Sequence, residues 1–150
     1  MGITYQEEKL KDILEELKPM LTLHWEELAN HKTDRPLDPD YDMYELMNDN
    51  NIIRIYTVRS DEKLIGYSFW IIANHLHYKT WRYALSDIYW LHPDHRKTGV
   101  SFDFFFKMED WLKGLGVKSI NIQDKLNHSH ANFFNRLGFT PIEQNYEKVV

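Results

Sequence analysis

A chain of 150 residues with no cysteine can form no disulfide, no thiolate zinc site and no cysteine nucleophile. Its formal net charge of -5 gives no general attraction to nucleic acid, and no apolar run approaches the length of a membrane span. Hydrophobic and charged shares of 43% and 27% are those of a globular protein, and the length is that of one domain, residues 1–150, with room for a real core. No signal peptide is evident at the N-terminus, so the expected location is cytoplasmic.

Ile3, Thr4 and Tyr5 begin a short strand. Leu10, Ile13, Leu14 and Leu17 then recur at helical spacing, an amphipathic helix. Pro19 predicts a break, with a second helix over 20–30 leaving at an angle. Residues 32–40 read as loop, and Asp38-Pro39 as an N-cap followed by proline at the first position of a short helix reaching about Met47. Strands follow at 51–59 and 64–74, separated by a turn, and another at 83–91. The middle one is apolar on both faces and therefore central.

Beyond the third of these strands, Pro93 ends the apolar run and a basic loop carries Arg96, Lys97 and Gly99. A helix starts near Val100, with Phe102, Phe105, Phe106, Met108, Trp111, Leu112 and Leu115 on one broad side and Gly114 and Gly116 at its end. Residues 117–122 form a strand parallel to its predecessor, because a helical crossover joins them. A last helix spans 128–137, and residues 139–150 suffice for one long strand or two very short ones.

The strand-loop-helix junction suits an anion. Amide N–H groups in a helix's first turn have no internal partner, and the helix dipole adds partial positive charge there. Gly99 allows close backbone approach, Ser101 adds a hydroxyl, and Arg96 and Lys97 add charge. A plain basic strand-to-helix turn would present the same residues.

Arg96-Lys97-Thr98-Gly99-Val100-Ser101 resembles the Arg/Gln-x-x-Gly-x-Gly/Ala pyrophosphate loop of the GNAT N-acetyltransferases, departing from it at Ser101. Asn127, the aromatic pair Phe133-Phe134 and Leu137-Gly138-Phe139 resemble that family's second signature, in the right order downstream. The N-terminal region also resembles bacteriophage acetyltransferases. The resemblance implies an α+β, three-layer fold: a mixed, mostly antiparallel sheet of about six to seven strands flanked by about four to five helices. It implies acetyl-CoA as cosubstrate, bound by Leu91, His92, Arg96, Lys97, Thr98, Gly99, Val100, Ser101, Asn127 and Phe134. It also places His24, Tyr44, His77 and Tyr89 on the acceptor side, which the short C-terminal segment would leave unusually open.

Direct transfer needs a neutral amine, and a lysine-like amine with a pKa of about 10.4 is protonated at neutral pH. Asp87 is the candidate base, since alternation puts it on the strand face of Tyr89 and Leu91; a solvent-exposed carboxylate and a water chain are the alternatives. The family's usual acid, a tyrosine, aligns with Phe134, which has no proton to give. A thiol with a pKa of about 8.5 can leave as thiolate without one.

The expected function is acetyl-CoA-dependent N-acetyl transfer to a small-molecule or peptide amine, with no membrane or nucleic-acid partner and no metal. The reading allows a homodimer. Phe134 and the short C-terminal segment keep open a catalytically degenerate module that binds CoA or a protein. His75 and His77, on one face of an extended segment, lack the third ligand that a hydrolytic metal would need.

Overall fold

The central β3 strand (Lys63–Asn74) is buried along almost its whole length, which requires layers on both sides of it. The computed structural model describes residues 2–30 and 34–150, so Lys32 and Thr33 of the expected loop lie outside the described residues. The sheet runs in the order β1 (Ile3–Glu8), β2 (Ile53–Ser60), β3, β4 (Arg82–Leu91), β5 (Ser119–Asn121). Its pairs are antiparallel except the last, which is parallel. Helices α1 (Leu10–Leu28) and α2 (Tyr41–Asp49) cover one face, α3 (Val100–Gly114) and α4 (Ala131–Arg136) the other.

The three-layer α+β expectation therefore holds, with five strands and four α-helices among the described residues. The correction to about six to seven strands falls at the C-terminus. Residues 139–150 form no strand: Pro141 lacks a ladder donor, and Glu143, Gln144 and Asn145 fit a pleated surface poorly. An ion pair of Arg35 with Glu147 at 2.7 Å ties this segment back to the loop after α1.

Two helix boundaries also differ from expectation. Pro19 lies inside a single helix, because its ring faces solvent while Leu10, Ile13, Leu17, Met20 and Leu21 bury one continuous stripe on both sides of it. Burial of five apolar side chains outweighs one lost hydrogen bond and a proline clash of about 3 kcal/mol. The α2 cap is Asp40, whose carboxylate accepts the Met43 N–H at 2.9 Å, not Asp38.

The sequence gives no warning of Asn48. It is 3% exposed; its side chain accepts the Leu10 N–H at 2.9 Å and donates to the Ile53 carbonyl at 3.0 Å, joining α1, α2 and β2. On the opposite side of the sheet centre, Gly66 faces Leu91. A Cβ there would lie 2.9 Å from the Trp90 carbonyl and 2.8 Å from Val58, so only glycine lets β4 approach so closely.

Candidate active site

Two features of β4 make the site. First, β5 pairs with β4 only from Tyr83 to Leu85, so β4 runs on to Leu91 with that edge uncovered. The His92 N–H donates to the Ile65 carbonyl at 2.8 Å, so by strand alternation the backbone groups of Leu91 and Tyr89 face the gap. The His92 amide, expected as a main-chain ligand, is thus already bonded to β3.

Second, the ladder with β3 steps from Ile88 directly to Ser86, leaving Asp87 as a bulge residue. A bulge turns consecutive side chains to one side. The expectation that Asp87 shares a face with Tyr89 and Leu91 is therefore corrected. Its carboxylate accepts the Tyr44 hydroxyl at 2.5 Å on the α1/α2 face, whereas the Tyr89 ring packs at 6.1 Å from Phe105 and 5.8 Å from Phe134 on the other. Burial, then the bond to Asp87, pushes the Tyr44 hydroxyl up, so it stays protonated and donates.

On the α3/α4 face the gap opens into a cleft of about 360 Å³ lined by Tyr89, Leu91, Ser101, Phe105 and Phe134, among others. Its mouth is the loop before α3. Gly99 has φ 84, which disfavours any side chain, and a Cβ there would meet no atom within 4 Å. The first amide bonded inside the helix is that of Asp103, to the Gly99 carbonyl at 3.2 Å. The N–H groups of Val100, Ser101 and Phe102 are thus left for an anion. Thr98 and Ser101 shape the turn through hydroxyl bonds to the His95 and Arg96 carbonyls at 3.0 and 3.2 Å. Val100 is buried and anchors the helix start.

The Arg96 side chain is held by partners that the loop itself does not supply. Its guanidinium donates to both Glu27 oxygens, at 2.6 and 2.8 Å, and its Nε to the Leu91 carbonyl at 2.8 Å. It also lies 5.6 Å from the Trp90 ring centroid. A bidentate pair with Glu27 and the bond to Leu91 hold it beside β4. Arg96 holds the Glu27 carboxyl at about 2, helped by the Trp90 N–H. The loop's free cation is Lys97, exposed and without an ion pair among the described residues. A second cation was missed from sequence: Arg136 lies 4.7 Å from the Phe102 ring centroid, at the cleft and beside the helix start.

Asn127 does not line the cleft; its amide donates to Asn30 at 2.7 Å, linking the loop before α4 to the end of α1. Asp124, also missed, accepts from Ser129 at 2.6 Å and from the His130 N–H at 2.8 Å, and so fixes the start of α4. Gln123 closes the inner end: its N–H donates to the Ser86 hydroxyl at 3.1 Å and its carbonyl accepts the Tyr89 hydroxyl at 2.8 Å. Burial raises the Tyr89 hydroxyl pKa, with a smaller push from Asp124.

His24 joins the α1/α2 face: its Nδ1 lies 2.9 Å from the Tyr67 hydroxyl and its ring stacks on Trp90 at 6.0 Å. Burial pushes its pKa down to about 4, so it is neutral at physiological pH. His77 is not brought into the site. It sits in the β3–β4 turn with its ring against His75 at 5.5 Å, and the five residue steps from Arg82 to Asp87 put roughly 16 Å of strand in between. Among the described residues no group of three or more histidines and carboxylates could hold a metal.

The fold has close parallels among solved structures. A ribosomal-protein-alanine N-acetyltransferase from Brucella melitensis biovar Abortus 2308 superposes with a TM-score of 0.78 at 15% identity, over 100% of this chain and 99% of that one. An aminoglycoside acetyltransferase from an uncultured soil metagenomic sample, in complex with sisomicin, gives 0.75 at 10% identity over 99% and 97%. A predicted acetyltransferase with acetyl-CoA from Clostridium acetobutylicum gives 0.72 at 14% identity over 99% and 96%. No curated protein has a significantly similar sequence, and nothing among these relatives supports a bacteriophage branch. The profile of the acetyltransferase (GNAT) family matches residues 13–139, more than half of the chain, and the protein therefore belongs to that family.

Proposed function

We propose that the protein transfers the acetyl group of acetyl-CoA directly to a primary amine, with the two partners approaching from opposite faces of the sheet. The observation that carries this reading is the gap beside β4. On one face of the sheet it opens into the cleft at Tyr89 and Phe134; two residues along the same strand, on the other face, lies the Asp87–Tyr44 pair.

The residues fit the cofactor. The unpartnered amides at 100–102, with Lys97 and Arg136 beside them, suit its pyrophosphate. The apolar cleft suits the pantetheine arm, with the gap-facing backbone groups of Tyr89 and Leu91 as partners for its amides. The Leu91 carbonyl is held by Arg96, so the Leu91 N–H and both groups of Tyr89 are the available ones. The cofactor supplies an activated acyl group; this chain positions and desolvates it.

Asp87 receives the ammonium proton, directly or through one water. Tyr44 holds its carboxylate in place by a short hydrogen bond. The amine nitrogen then attacks the carbonyl carbon, the C–S bond breaks, and the nitrogen's second proton passes to the departing sulfur or to solvent. Phe134 cannot protonate the sulfur, and Tyr89 is the only phenol lining the cleft. Its hydroxyl is already donated to the Gln123 carbonyl and burial raises its pKa, so the sulfur leaves as thiolate without an acid. The acceptor we favour is a small cationic amine, in keeping with the sisomicin complex of one structural neighbour. A cytoplasmic location, where acetyl-CoA is at hand, accords with this reading.

Thiol release from acetyl-CoA, followed against an aminoglycoside, a polyamine and a peptide N-terminus, tests the proposal. Release that depends on at least one amine is expected. Tight acetyl-CoA binding without release for any amine would favour the binding-only module.

A further inference from the structure

The β3–β4 hairpin tip is ordered yet presents apolar surface to water. Its backbone is pinned by His75 N–H to the Trp81 carbonyl at 2.8 Å and Trp81 N–H to the Tyr78 carbonyl at 2.8 Å. The His75 ring is braced by Tyr78 at 5.0 Å and Tyr83 at 5.5 Å. On this frame Leu76 is 97% exposed, Tyr78 66% and Trp81 44%. An apolar cluster held rigidly in solvent marks a contact surface.

The tip is also basic within an acidic chain. No aspartate or glutamate occurs in residues 63–86, while Lys79 and Arg82 lie there and Lys118 packs 5.6 Å from the Trp81 ring centroid. Among the described residues, none of the three forms an ion pair. The Nε of Arg82 is buried without any partner.

The outer face of α2 is the converse. Met43 is 50% exposed and Leu46 57%, and Ile52 just beyond the helix is 45% exposed. Asp42 and Asp49 flank them, exposed and without ion pairs among the described residues. The two surfaces sit at one end of the molecule, because the Ile72 N–H donates to the Ile52 carbonyl at 3.1 Å and the hairpin projects from that strand end. Complementary patches side by side on one chain satisfy a two-fold axis: each copy gives its tip and receives the other's.

We propose that the protein forms a symmetric homodimer in which the hairpin tip of each copy, Leu76 to Trp81 with Lys79, docks on the α2 face of the other, between Asp42 and Asp49. A second copy is favoured over a nucleic acid because phosphate would meet the acidic α2 surface beside the tip, in a chain of net charge -5. The apolar side chains supply burial; the charges set partner and register.

Sedimentation velocity over a concentration series tests this, with Lys79→Glu and Asp49→Lys. Both positions are exposed, and lysine near a helix C-terminus suits the dipole, so unchanged melting curves are expected. The wild type should dimerise more weakly as salt rises. Each reversal should raise the dimer dissociation constant at least about tenfold, since each contact occurs twice. Mixing the two variants should restore a heterodimer, in which both contacts are again between opposite charges. A wild type monomeric at every concentration overturns the proposal, as does a dimer indifferent to both reversals. A monomer that retains single-stranded RNA through Lys79 assigns the tip to nucleic acid and overturns it as well.

Discussion

The two faces of the sheet build their halves of the site from different materials. On the α3/α4 face the functional atoms are mostly main chain: amides at the start of α3, the uncovered edge of β4, and a glycine at φ 84. On the α1/α2 face they are side chains brought together over long sequence separations, Asp87 with Tyr44 and His24 with Tyr67. A backbone site needs one local turn and tolerates replacement of most of its side chains. A side-chain site depends on each residue, so a change at Asp87 or Tyr44 alters it directly.

The most damaging way to break the backbone half is Gly99→Val. A branched side chain at that φ is strained by about 1–3 kcal/mol and occupies the open space to which we assign the pyrophosphate. We expect a loss of about 4 kcal/mol of acetyl-CoA binding, roughly a thousandfold, and of the rise in melting temperature that acetyl-CoA gives the wild type. A variant that keeps the rise removes the loop from the cofactor site.

The side-chain half is broken most selectively by Asp87→Asn. The rate of transfer should fall by about a hundredfold with acetyl-CoA affinity unchanged, because the amide keeps the shape but accepts no proton. The low-pH limb of the profile should flatten or move. Superimposable profiles at equal rates would take Asp87 out of the chemistry and leave the proton to water.

His24 sharpens the comparison through stability. Its folded pKa of about 4 lies below the ordinary 6.5, so between these values the unfolded chain binds a proton that the folded chain does not. Stability should therefore rise with pH across that window and fall as pH drops through it, by on the order of 2 to 3 kcal/mol. Replacing His24 with phenylalanine should flatten denaturant midpoints between those pH values; an unchanged slope would mean the imidazole is protonated in the fold.

Least effect is expected from Phe134→Tyr. The ring stays edge-on to Tyr89, and a phenol added at that position should leave turnover unchanged or raise it slightly. A large loss would show that the cleft depends on an apolar wall at that position.

What the sequence disclosed follows the same division. The amphipathic stripes, the apolar run of β3 and the Gly99 loop are local patterns, and they were readable as such. Pro19 misleads because the side of a helix on which a proline falls depends on the sheet beneath it. The Asp87 bulge misleads because strand alternation counts residues, and an extra residue is visible only against its partner strand. Nothing local to Arg96 announces its pairing with Glu27, 69 residues earlier. Asn48 and Arg136 were missed for the same reason, since their partners lie in other elements. The absent C-terminal strand reflects composition outweighed by a family expectation.

The central claim is that one gap beside β4 holds the cofactor against main-chain groups, and amide NMR during an acetyl-CoA titration tests it most directly. The account predicts the largest shifts at Gly99, Val100, Ser101 and Phe102 and at the gap-facing amides of Tyr89 and Leu91, with His92 and the distant His77 little changed. Shifts confined to the hairpin tip or the α2 face, with the start of α3 unmoved, would contradict it.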